Sequence, residues 1–102
     1  MEIIKKVSTL IREELDDAEK FARLALSYKD QDPDAARVFV DLAKAEMEHQ
    51  DRLHNLVTKE IAKAVDVGKR ATPEMQWVYN YLHDEQISRA EKVLELQRMY
   101  SK

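Results

Sequence analysis

The chain has no cysteine, one glycine and two prolines in 102 residues. The missing thiols exclude disulfides, zinc–thiolate sites, iron–sulfur clusters and cysteine nucleophiles together. The scarcity of Gly and Pro, with no regular apolar/polar alternation between turn signals, excludes a strand-and-turn architecture. No apolar run approaches the ~18 residues of a membrane span, and Met1–Lys6 is too short and too charged for a secretory signal. A glycine-rich phosphate loop and a calcium loop are also missing, and no Ser/His/Asp constellation can be placed. Basic charge is not in excess. The net charge is −3 and the pI near 5.6, with Lys and Arg interspersed among acids, which argues against nucleic acid as a partner. These absences predict a cytoplasmic protein that engages neither membrane nor nucleic acid.

What remains is 44% apolar and 36% charged residues, the composition of amphipathic helices in one domain with one modest core. Helix 1 is expected over about residues 3–28. Its stripe is Ile4, Val7, Ile11, Glu14, Ala18, Phe21, Ala25, Tyr28, an unbroken alternation of steps of three and four. Ile3, Leu10 and Leu24 widen that face. Asp32 then supplies an N-cap and Pro33 a first helical residue, so helix 2 should run over about 33–67 and end at Gly68, where a left-handed residue is wanted. Thr72 and Pro73 repeat the start signal, and helix 3 follows over about 73–100. The fold class is all-α, with three antiparallel helices. Helix 3 groups Met75, Val78, Tyr79, Leu82, Gln86, Ala90, Val93, Gln97 and Tyr100 on one broad side, with Trp77 and Tyr81 directed the other way.

Helix 2 carries the informative pattern. Its stripe reads Ala35, Phe39, Leu42, Glu46, His49, Leu53, Leu56, apolar at both ends with a carboxylate and an imidazole between. An unpaired charge on a core face is costly, so these two groups require a partner. About a loop centred near Gln31, Glu14 lies 17 residues before, while Glu46 and His49 lie 15 and 18 after. At ~1.5 Å per residue all three reach one level. A lone core Glu is most simply a salt-bridge partner, and a lone core His a satisfied imidazole. A Glu on one helix level with Glu-x-x-His on the next is more specific, because residues three apart share a helix side and can reach one ion. Carboxylate oxygens with one imidazole suit iron or manganese.

The stretches Glu13–Ala22 (EELDDAEKFA) and Ala43–His49 (AKAEMEH) resemble the ferritin-like superfamily, a likeness that covers about half the chain with the hairpin between them. In that superfamily a four-helix bundle holds two metal ions with a Glu from each of two helices and Glu-x-x-His from each of the other two. This chain has one such set, so it is similar to the rubrerythrin-like and encapsulated-ferritin half-ferritins. The resemblance implies that two chains form the four-helix core. Glu14, Glu46 and His49 of each would hold two Fe ions (or Mn) per dimer, with ferroxidase or peroxide-reducing chemistry on Fe(II) and O₂ or peroxide. It also implies a homodimer or an oligomer of dimers.

The chain departs from the family at three points. Phe21 stands where the family often has Tyr, no cysteine pair is present for a rubredoxin-type centre, and no encapsulin-addressing tail is expected from Met99–Lys102. The alternative is a non-enzymatic helical assembly protein in which the same three residues form a buried hydrogen-bonded network without metal. Glu91 has the height of a further ligand but lies on a flank of helix 3. His83 lies well off that level, and His54 leaves the helix 2 stripe for the bundle border. Glu13 points about 100° from Glu14, and Glu48 with Asp51 is expected to form a solvated acidic edge.

Overall fold

Asp32 does what its position predicts. Its Oδ1 accepts a hydrogen bond from the Ala35 amide at 3.2 Å, and its carbonyl accepts the first helical bond from Ala36. Pro33 adds no orphan donor at the first helical position. The Asp32 amide in turn donates to the Tyr28 carbonyl at 2.8 Å, closing a four-residue turn between two long helices. The computed structural model describes residues 2–66 and 73–102, apart from the side chains of residues 64–66, 73–75 and 77–79. The described residues form α1 (Glu2–Tyr28), α2 (Pro33–Asp66) and α3 (Pro73–Ser101), with no strand among them. The expected stop at Gly68 and the Thr72 cap lie outside the described residues, as do the side chains of Met75, Trp77, Val78 and Tyr79. No helix among the described residues is long and apolar enough to cross a membrane.

The three helices make a rod of 56 × 18 × 18 Å. Helix α2 alone, at 34 residues, accounts for about 51 Å of that length. Helix α1 is central and packs against both α2 and α3, whose backbones come less close to each other among the described residues. It runs antiparallel to α2, shown by the Phe21–Phe39 ring contact at 6.4 Å between centroids. It runs parallel to α3, in a register marked by two ion pairs of opposite polarity. Arg12 meets Glu85 at 3.7 Å and Asp16 meets Arg89, each pair 73 residues apart.

The core follows from this central position. On α1 the buried line is Ile4, Ser8, Ile11, Leu15, Ala18, Ala22, Ala25, with Val7 beside it. On α2 it is Ala36, Ala43, Gln50 and Val57, each seven residues from the last. Aliphatic side chains fill the end remote from the α1–α2 turn, where Ile4, Val7, Ile11, Leu15 and Val57 pack with Met47, Leu53, Ile61 and Ala90. Toward the turn the helices approach through Ala22 and Ala43, closed by Leu96 of α3. Ile11, Leu15 and Val93 are fully buried, at about 1.5–3 kcal/mol each relative to exposure.

On α1 the expected Ile4, Val7, Ile11, Ala18 and Ala25 are buried, and the departures are at Glu14, Phe21 and Tyr28; on α2 the buried line is rotated by one residue from the expected stripe. Leu15 and Ala22, not Glu14 and Phe21, face the cleft that α3 fills. Of the α2 stripe, Ala35, Phe39, Glu46 and Leu53 are half-buried, while Leu42, His49 and Leu56 are exposed. The physical reason is that three helices cover only one side of the α1–α2 pair. Its other side carries the remainder of both stripes and stays open.

Candidate metal centre

Glu14, Glu46 and His49 come together in the middle of that open side. His49 Nδ1 lies 3.4 Å from Glu14 Oε2 and 3.9 Å from Glu46 Oε2, and one ligand atom from each residue falls within 4.8 Å of the others. With its proton on Nδ1, the imidazole donates a long hydrogen bond to Glu14. The side chains are 26% exposed for Glu14, 19% for Glu46 and 53% for His49. The carboxylates are thus walled in by the helices, while the imidazole stands at the surface.

Each element has a reason to put its residue there. Glu46 and His49, three apart on α2, share one side of that helix. Glu14 arrives from α1 because the hairpin closes symmetrically through the Asp32 cap, which holds the two helices level. Around one octahedral ion with bonds of about 2.1 Å, donor atoms lie about 3.0 Å apart when adjacent and about 4.2 Å when opposite. The separations of 3.4 and 3.9 Å lie between these two values. Two carboxylates with one imidazole form a hard, nitrogen-containing donor set of the kind that suits iron or manganese. Among the described residues this is the group of three or more His, Asp or Glu donors close enough to hold one ion.

The face around the cluster is apolar. Leu10 lies one turn before Glu14 on α1, and Leu42 and Leu56 lie in line with Glu46 and His49 on α2; all three are exposed. Toward the turn Phe39 stacks on Phe21 and meets Tyr28 at 6.2 Å between ring centroids, so the Tyr28 ring packs on Phe39, at the turn end of the face.

The other acids and histidines stand apart from the cluster. Glu13, Glu48 and Asp51 are exposed, and Glu91 is exposed on α3. His54 and His83 are half-buried and face each other across α2 and α3, with ring centroids 5.1 Å apart. That pairing was not legible in the sequence, because it depends on how far α3 slides along α1. Tyr81 is exposed, as its outward direction predicted.

No protein-family model, curated protein or solved structure matches this chain.

Proposed function

We propose that this chain is half of a carboxylate-bridged dinuclear metal protein. Two copies would pair through their α1–α2 faces to form a ferritin-like four-helix core. The observation that carries the reading is the convergence of Glu14, Glu46 and His49 within 4.8 Å on a face bordered by exposed leucines. One chain offers two carboxylates and one imidazole. Two chains related by a twofold axis offer four carboxylates and two imidazoles, the donor set of di-iron and di-manganese helical bundles. Four negative charges balance two divalent cations, so pairing completes coordination and neutralises the site together. The same contact covers Leu10, Leu42 and Leu56, which one chain leaves in water.

In this reading Glu14 and Glu46 hold the ions through oxygen, His49 supplies the nitrogen, and the surrounding leucines exclude bulk water once the copy is in place. A pair of Fe(II) ions bound there would supply electrons to O₂ or peroxide, the chemistry of a ferroxidase. The residues of this chain bind and orient; metal binding is the primary activity and turnover the secondary one.

Elemental analysis after aerobic Fe(II) loading and desalting tests the reading. About one iron per chain is expected, because each dimer site holds two. Glu46→Ala with His49→Ala should abolish it. Wild-type protein that retains no iron would favour the rival account, in which the 3.4 Å contact between His49 and Glu14 is a structural hydrogen-bonded network at an assembly interface.

A further inference from the structure

Outside this cluster, the molecule places two imidazoles side by side between α2 and α3. His54 of α2 and His83 of α3 are half-buried, with ring centroids 5.1 Å apart and planes inclined by 35°. We propose that His54 and His83 form a second, nitrogen-only site for a borderline divalent transition ion such as Zn(II), and that the ion ties α2 to α3.

The ring spacing is compatible with such an ion. A metal–imidazole bond of about 2.0–2.1 Å puts each ring centre about 3.2 Å from the ion, and a tetrahedral angle then sets the two centres about 5.2 Å apart. The observed separation of 5.1 Å between ring centres is close to this value. The position also gives the ion something to do. Helix α3 is anchored to α1 through Glu85 and Arg89, whereas among the described residues the backbones of α2 and α3 approach each other less closely. A two-imidazole bridge would add a link on that side of the triangle. Its donor type separates it from the first site. Imidazole nitrogens suit zinc, copper, nickel and iron, while the carboxylates of the cluster at Glu14, Glu46 and His49 add a preference for harder ions. Two protein ligands leave the remaining positions to water, so binding in the micromolar range is expected, weaker than at a closed structural zinc site.

The test is a Zn(II) titration of the full-length Glu46→Ala, His49→Ala variant, which lacks the first site, followed by calorimetry and by imidazole ¹H–¹⁵N spectra. About one zinc per chain should bind, with the His54 and His83 ring resonances moving together. Adding His83→Asn or His54→Asn, each close in shape to the original, should weaken binding about tenfold or more, since loss of a ligand costs at least as much as loss of its supporting contacts. In the otherwise wild-type chain the same two substitutions should leave iron loading unchanged, which keeps this outcome separate from the fate of the first site. No zinc in the Glu46→Ala, His49→Ala protein, or zinc that binds without moving the His54 and His83 resonances, would overturn the proposal and leave a plain ring contact of the kind common at this distance.

Discussion

Replacing Leu42 and Leu56 by Ala strips apolar surface from the open side of the α1–α2 pair while leaving the buried lines of both helices intact. The two side chains are 39% and 36% exposed in one chain. If a second copy covers them, each dimer gains the burial of about one and a half leucine side chains, which at ~1.5–3 kcal/mol per fully buried leucine is about 2–4 kcal/mol. At 1.4 kcal/mol per decade, the double variant should dissociate with a Kd about 30- to 1000-fold weaker than the parent. Sedimentation equilibrium over a concentration series reads this directly, with circular dichroism to show that both proteins remain helical. Ile87→Ala with Leu94→Ala is the matched control, because those side chains are at least as exposed but lie on the outer side of α3. The control should associate like the parent. A parent that stays monomeric at hundreds of micromolar, or a control that loses association as much as the α2 variant does, would refute the assignment of the face.

Three further outcomes follow from the packing and the site. Leu15→Ala removes a fully buried side chain between α2 and α3 and should cost about 2–5 kcal/mol in urea unfolding; a loss below about 1 kcal/mol would contradict the position of the core. The Asp16–Arg89 pair, with the carboxylate side chain 58% exposed, should show a coupling below about 1 kcal/mol in a double-mutant cycle, so it sets the register of α3 more than its stability. Saturating Mn(II), which binds without redox chemistry, should raise the melting temperature. At a free concentration a hundred times the Kd the gain is about 2.7 kcal/mol, or roughly 10–20 °C for a domain of this size, and Glu46→Ala with His49→Ala should remove it.

The helices and the level of the three site residues were legible because both rest on local rules. Asp32–Pro33 marks a helix start whatever lies around it, and a symmetric hairpin brings Glu14 beside Glu46 and His49 by counting alone. The direction of the core was less legible. A stripe of apolar residues marks every surface that leaves water, within a chain or between chains, and the two cannot be separated by periodicity. The expected stripe on α2 ran through Leu42 and Leu56, while the line buried within the chain is Ala36, Ala43, Gln50 and Val57. Alanine carries little hydrophobic signal, and its role at Ala22 and Ala43 appears only once two helices are brought close. The register of α3 was not legible either. It is marked by Arg12–Glu85 and Asp16–Arg89, two of many charge pairs the sequence could have formed, and the meeting of His54 with His83 depends on it in turn.

The central claim is that one chain holds half a site. Native mass spectrometry after anaerobic Fe(II) loading weighs the assembly and its metal together. The account predicts a dimer, or a multiple of dimers, carrying two irons per pair of chains, with iron-free monomers beside it. A monomer that carries iron alone, or a dimer that forms without gaining any, would contradict it.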